Sequence, residues 1–97
     1  MSSLIGEKLA LIRESERLTR KQFAEITGVP YTSLTYYESG KTKPPTDVAM
    51  KILSHPQFIK YTMWFMTGET AIESGQVAPA LAQNINSLSE RLEKKVM

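Results

Sequence analysis

The amino-acid sequence predicts an all-α fold. Apolar residues recur three or four positions apart near both ends of the chain, which is the spacing of one face of a helix. Between these stretches, glycines and prolines interrupt the chain, as they do between short helices. With 97 residues, 41% of them hydrophobic, the chain can bury one small core. We therefore expect several short helices packed around that core.

Six helical segments follow from the spacing, with a linker before the last. Their predicted bounds are residues 3–16, 20–27, 30–38, 46–54, 58–66 and 81–92, and the linker falls within 67–79. In the first segment the apolar face consists of Ile5, Leu9 and Ile12, with charged residues between them.

Specific residue types mark the turns around the second and third helices. Thr19 is suited to cap the second helix, because its hydroxyl can accept a hydrogen bond from the first turn. Gly28 is suited to end it, because glycine adopts a positive φ without steric cost. Pro30 is tolerated in the first turn of the third helix, where its missing N–H would have no partner. Leu34 and Tyr37 then form one face of that helix and leave a polar, aromatic face opposite.

The last two helical segments differ in how their apolar residues are arranged. Residues 58–66 are apolar on nearly every side, so this helix is either buried on most of its surface or partly covered by another molecule. The final segment carries a stripe at spacings of four, three and four, made of Leu81, Ile85, Leu88 and Leu92. Such a short stripe either docks on its own domain, frays, or joins a dimer interface.

The composition excludes several classes of function. Without cysteine there is no disulfide scaffold, thiolate zinc site or cysteine nucleophile. His55 is the only histidine, and no metal-ligand cluster, phosphate-binding glycine loop or nucleophile motif is present. We therefore expect no enzyme, no cofactor, no metal and no small-molecule substrate. No apolar run approaches the ~18 residues of a spanning helix, so we expect a cytoplasmic protein without a membrane anchor.

Positive charge is concentrated in the first part of the chain. Residues 1–60 carry nine Lys and Arg against six Asp and Glu, whereas residues 61–97 carry three against four. Charge alone is compatible either with a solvated surface of mixed sign or with a surface that attracts an acidic partner.

The most specific pattern runs from Arg20 to Gly40: a short helix, a glycine turn and a second short helix with an exposed polar face. Helices joined by so short a turn cross steeply, and their close packing requires a small side chain opposite an aliphatic one. Ala24 and Leu34 can supply this contact. The spacing from Arg20 through Tyr37 matches a helix-turn-helix.

Residues 5–69 resemble the Cro and phage-repressor type of helix-turn-helix domain, a five-helix, lambda-repressor-like DNA-binding fold. The matching segments are Leu18-Thr19 with Phe23-Ala24, Gly28-Val29, residues 34–38, Gly40-Lys41 with Lys43 and Pro45, and residues 64–69. The resemblance implies a DNA-binding domain at 1–69 and a linker with a C-terminal amphipathic helix at 70–97. The sequence departs from the family at two of its positions, since Arg20 stands where glutamine is common and Pro30 where serine is common.

The resemblance also implies residue roles. The base-reading positions of the third helix are Tyr31, Thr32, Thr35 and Tyr36. The phosphate-binding positions are Arg20, Lys21, Lys41 and Lys43. Arg13 and Glu38 stand where the family forms a partly buried ion pair, which supports the structure rather than contacting DNA.

A dimer interface is expected at the fifth helix and the segment after it, where the resembling family often dimerises. The residues assigned to it are Tyr61, Trp64, Met66, Leu81, Ile85, Leu88 and Leu92. The resemblance therefore implies a sequence-specific, double-stranded DNA-binding transcriptional regulator, a homodimeric repressor that reads an inverted-repeat operator through the third helix. An activator would dock on DNA in the same way, so the sequence leaves the direction of regulation open. The alternative is an antitoxin-type regulator whose C-terminal segment also binds a protein partner.

Overall fold

The computed structural model describes residues 4–82, and their regular structure is helical. The α-helices are α1 (Leu4–Ser15), α2 (Arg20–Thr27), α3 (Tyr31–Ser39), α4 (Thr46–Leu53) and α5 (Thr62–Thr67). Short 3-10 helices cover Ile59–Tyr61 and Ile72–Ser74. No strand occurs in this part of the chain, where β pairing is limited to one bridge between Ala71 and Gln76. The predicted all-α fold is confirmed, and no helix within residues 4–82 is long and apolar enough to cross a membrane.

The predicted cap and stop of α2 are both present. Thr19 Oγ1 accepts a hydrogen bond from the Gln22 N–H at 3.1 Å, and Gln22 Oε1 accepts one from the Thr19 N–H at 2.9 Å. This reciprocal capping box satisfies two N–H groups at the helix start and contributes on the order of 1 kcal/mol. At the other end Gly28 has φ +77° and donates to the carbonyl of Ala24 at 2.8 Å. A Cβ atom at Gly28 would also lie 3.2 Å from Lys51 Nζ, which is closer than an ordinary van der Waals contact.

The core lies between α1, α2, α3, α4 and the segment that leads into α5. Leu9, Ile12, Phe23, Leu34, Ile52 and Phe58 are completely buried. Phe23 and Phe58 pack edge to face, with ring centroids 5.1 Å apart. Because α3 packs against both α1 and α2, its buried face is held from two sides.

Two details of the predicted helices differ from the structure. Pro30 occupies the cap position before α3 rather than its first turn. Residues 58–66 form a 3-10 helix and then α5, since the backbone of Tyr61, at φ −100° and ψ 3°, departs from α geometry. Only one side of this segment is buried, and Met66 on the other side is 68% exposed.

Of the linker predicted at residues 67–79, Thr67 ends α5, and residues 70–79 pack against the helices. The Val77 N–H donates to the carbonyl of Lys60 at 2.9 Å, and Gln76 Oε1 accepts from the Met63 N–H at 2.9 Å. Ala78 and Pro79 are buried. Glycine and proline content correctly indicated that this segment is not an α-helix, but it carried no information about packing. The division of the chain near residue 69 stays a prediction.

Candidate nucleic-acid interface

The exposed face of α3 carries the four residues predicted to read bases. Tyr31 is 51% exposed and Tyr36 is 40% exposed. Thr32 is exposed and Thr35 is half-buried between them. The opposite face of the helix is buried through Leu34 and Tyr37. The structure therefore brings the four side chains together on one outward surface of a helix whose other side is fixed in the core.

Hydrogen bonding within α3 limits how Thr35 can contact a ligand. Its hydroxyl donates to the carbonyl of Tyr31 at 3.1 Å, one turn earlier. The hydroxyl proton is therefore used inside the helix, while the methyl group and the oxygen lone pairs remain for outside contacts.

The loop after α3 holds a lysine against the exposed face of α3. Lys41 Nζ lies 4.6 Å from the centre of the Tyr36 ring, within the range of a cation–π interaction. The loop backbone is tied to the helix, because the Thr42 N–H donates to the carbonyl of Tyr36 at 3.3 Å. A positive charge therefore lies beside the predicted base-reading residues. Lys43 in the same loop and Lys21 in the first turn of α2 are exposed.

Glu38 at the end of α3 connects three elements. Arg13 of α1 donates to both of its carboxylate oxygens, from Nε at 2.9 Å and from Nη2 at 3.0 Å. Arg13 Nη1 also donates to the carbonyl of Leu18 at 2.9 Å. Since the Glu38 side chain is only 3% exposed, this bidentate pair holds a buried charge. The structure thus brings Arg13 and Glu38 together as the family resemblance implies.

A second arginine also contacts Glu38, and the sequence analysis did not anticipate it. Arg20 Nε donates to Glu38 Oε1 at 3.2 Å. The Arg20 side chain is 36% exposed, so part of it faces solvent while Nε contacts the buried carboxylate. Arg20 begins α2 and Glu38 lies near the end of α3, and only the crossing of the two helices brings these positions together.

The residues predicted for a dimer interface fall into three groups. Tyr61 and Trp64 are core residues, 4% and 5% exposed, and have little surface left to bury in a dimer. Met66 and Leu81 are exposed. The remaining members of the stripe, Ile85, Leu88 and Leu92, lie outside the described residues.

An apolar surface that includes Met66 lies between α4 and α5. It forms a groove of about 890 Å³. Its exposed apolar side chains are Ile5, Met50, Ile59, Met63 and Met66. The sequence analysis assigned only Met66 of these to an interface, because Ile5 and Met50 lie far from it in the chain and no local period connects them with the segment from 58 to 66.

A polar cluster fixes the end of α1 to the segment before α5. Glu16 accepts hydrogen bonds from the Tyr61 hydroxyl and from Gln57 Nε2, and forms an ion pair with Lys60 at 3.1 Å. Burial raises the pKa of Glu16, but the hydrogen bonds from Tyr61, Lys60 and Gln57 and the positive charge of Lys60 lower it, and the net effect is a lowered pKa. Burial and the adjacent Glu16 carboxylate raise the pKa of Tyr61, so its hydroxyl stays a donor. Among residues 4–82, no three His, Asp or Glu side chains are grouped as metal ligands.

Comparisons with known proteins identify the same motif from the sequence. A family model described as helix-turn-helix matches residues 9–58, from the middle of α1 to Phe58. The chain is also 62% identical over 82 residues to Repressor protein C of Escherichia phage P2, an alignment that covers 84% of this chain and 83% of the relative. The protein therefore belongs to the phage-repressor type of helix-turn-helix family.

Proposed function

We propose that this protein is a transcriptional repressor that binds double-stranded DNA in the cytoplasm by inserting α3 into the major groove. Family membership makes it a DNA-binding regulator and not an enzyme. The observation that supports the proposal is the outward face of α3. Four polar and aromatic side chains lie on this face, and the opposite face of the helix is buried in the core. A helix presented in this way is the reading element of helix-turn-helix proteins.

The chemistry of this face implies how bases are read. Threonine can hydrogen-bond to several bases or place its methyl group against the thymine methyl, and tyrosine can stack on a sugar or a thymine methyl. The face has no Arg, Asn or Gln, which make the usual bidentate contacts to guanine and adenine. We therefore expect modest discrimination at each base pair and a contribution from DNA shape.

Four cations at the start of α2 and in the loop after α3 are proposed to bind phosphates. They are Arg20, Lys21, Lys41 and Lys43. The Tyr36 ring of α3 contacts the ammonium group of Lys41, and the Glu38 carboxylate accepts a hydrogen bond from the side chain of Arg20. Each phosphate neutralised by such a cation releases counterions and steepens the salt dependence of binding by ~0.9 in log–log slope.

The proposed active form is a symmetric dimer on an inverted repeat. Support comes from the groove between α4 and α5, whose exposed residues include Met63 and Met66. An exposed apolar groove of this kind offers a second copy a surface to bury. A two-fold dimer places its recognition helices about 34 Å apart, so its half-sites are expected one helical turn apart.

Selection of duplexes from a random DNA pool by the purified full chain, sequenced at two salt concentrations, tests this proposal. Enrichment of paired half-sites in inverted orientation about one turn apart is the expected result. Half-sites in direct orientation would exclude the symmetric arrangement but keep the repressor. Binding at low salt without an enriched motif would contradict sequence-specific reading. Co-purification of a second polypeptide with the chain would favour the antitoxin-type alternative.

A further inference from the structure

Hydrogen bonds tie the end of α3 to the loop that follows it. The carbonyl of Tyr36 accepts from the Ser39 hydroxyl at 3.1 Å and from the Thr42 N–H at 3.3 Å. The Lys41 N–H donates to Ser39 Oγ at 3.4 Å. Gly40, with φ +84°, forms the turn that these bonds close. The backbone of Lys41 is therefore fixed relative to Tyr36.

The side chain of Lys41 lies over the Tyr36 ring. Its ammonium nitrogen is 4.6 Å from the ring centre, whereas Lys43 in the same loop makes no ring contact within residues 4–82. Tyr36 is 40% exposed and Lys41 is exposed, so the pair lies at the surface beside the outward face of α3. The ring contact restricts a four-carbon side chain that is otherwise flexible.

An ammonium group that lies on a ring can still bind phosphate. It has three N–H donors, and those that point away from the ring remain for phosphate oxygens. Ordering a free lysine side chain during binding ordinarily lowers the affinity roughly two- to tenfold. A lysine that the ring has already ordered avoids part of this loss.

We propose that Tyr36 is a positioning residue for phosphate binding, whose ring orients the ammonium group of Lys41 and so raises the affinity for every duplex sequence. This role rests on the proposed function, and it is separate from any contact between Tyr36 and a base. It predicts a property that base reading does not. Removal of the ring weakens binding even to DNA without an operator, but only while Lys41 carries its charge.

A double-mutant cycle on a duplex without an operator tests the proposal, because phosphate contacts supply nearly all of the binding to such DNA. The full chain is prepared with Tyr36→Leu, with Lys41→Met and with both, and fluorescence anisotropy measures each dissociation constant at one low salt concentration. We expect Tyr36→Leu to weaken binding roughly two- to tenfold in the natural chain and to have no further effect beside Lys41→Met. Tyr36→Phe retains the ring and should rescue the affinity.

Lys43 supplies the matched control for this cycle. Lys43→Met removes a charge from the same loop but leaves the ring contact of Lys41 in place, so Tyr36→Leu should keep its full effect beside it. Thermal unfolding verifies that each variant is folded, as expected for replacements outside the buried face formed by Leu34 and Tyr37. An effect of Tyr36→Leu that persists beside Lys41→Met would overturn the proposal.

A measurement without DNA examines the ring contact itself. Because an aromatic ring shields protons above its face, the Hε resonances of Lys41 in the free chain should lie upfield of those of Lys43, and Tyr36→Leu should abolish the difference. Resonances at equal positions in the natural chain would overturn the proposal.

The remaining outcomes of the binding cycle are also decisive. Tighter binding by Tyr36→Leu would overturn the proposal, because it would show that the ring competes with phosphate for the ammonium group. An equal loss in Tyr36→Phe would overturn it by assigning the effect to the hydroxyl. If the natural chain binds no duplex at any salt concentration, the proposed function fails and this inference fails with it.

Discussion

Arg20 Nε lies 3.2 Å from Oε1 of Glu38, and this contact joins the start of α2 to the end of α3. The same carboxylate accepts two hydrogen bonds from Arg13 of α1. One buried acid therefore fixes the crossing of the helix-turn-helix and sets the direction of an arginine proposed to bind a phosphate.

Replacement of this acid should cost stability. Glu38→Gln removes the counter-charge of Arg13, whose side chain is only 12% exposed, and we expect a loss of about 3–5 kcal/mol in the free energy of unfolding. Urea unfolding measures the change. Glu14→Gln is the matched control, because Glu14 pairs with the same arginine at 3.5 Å but is 52% exposed. A loss in the control equal to that in Glu38→Gln would contradict the central role of the buried carboxylate.

Replacement of Arg20 should affect DNA binding more than stability. Its side chain is partly solvent-exposed, so screening limits its contribution to folding to roughly 1 kcal/mol or less. We expect Arg20→Gln to lower the slope of log binding constant against log salt by ~0.9. Fluorescence anisotropy over a salt series measures this slope. An unchanged slope would show that the charge of Arg20 serves Glu38 and not a phosphate.

Substitutions on the reading face and beside it should differ in sequence dependence. Thr32→Ala should weaken binding of the selected site by ~1–3 kcal/mol and relax the preference at particular base pairs. Lys41→Ala should weaken all sequences alike and reduce the salt slope by about one, while Lys41→Arg retains the slope. Thr70→Ala, at an exposed position after α5, is the control that should change neither. Identical profiles for Thr32→Ala and Lys41→Ala would refute the assignment of reader and anchor.

Stability should depend on pH through Glu16. Its pKa is lower in the folded chain than the ordinary value of 4.5, so the unfolded chain binds more protons in this range and stability rises with pH. The contribution is fully present at neutral pH and is lost as the pH falls below about 4.5 through the folded-state pKa. We expect the stability difference between the natural chain and Glu16→Gln to shrink from pH 7 to pH 3 in urea unfolding. A difference independent of pH would rule out this linkage.

The proposed dimer should depend on the groove between α4 and α5. Met66→Glu places a charge among exposed apolar side chains, and we expect the dimer dissociation constant to rise at least about tenfold. Sedimentation equilibrium measures the constant. Ile72→Glu introduces the same charge at a residue that is 74% exposed and does not line the groove, so it should leave the constant unchanged. Equal effects of the two substitutions would place the interface elsewhere.

Interactions between residues close together in the chain were sufficient to predict much of the helix-turn-helix. The cap at Thr19 and the positive φ of Gly28 depend on neighbours within four residues, so the sequence records them directly. The two faces of α3 also follow from helical spacing, with Leu34 buried and Tyr31 exposed. The Arg13–Glu38 pair required more than spacing, since it joins residues 25 positions apart and was inferred from the family resemblance.

By itself the sequence determined the helical class, the turn of the motif and the outward face of α3, because helical period and capping are properties of contiguous residues. Only the tertiary structure decided that Arg20 shares Glu38 with Arg13, that Tyr61 and Trp64 belong to the core, and that residues 70–79 pack on the helices. The apolar surface between α4 and α5 likewise gathers residues from distant segments. These features depend on which elements meet in space, and a one-dimensional pattern records the faces of each helix but not the partners they contact.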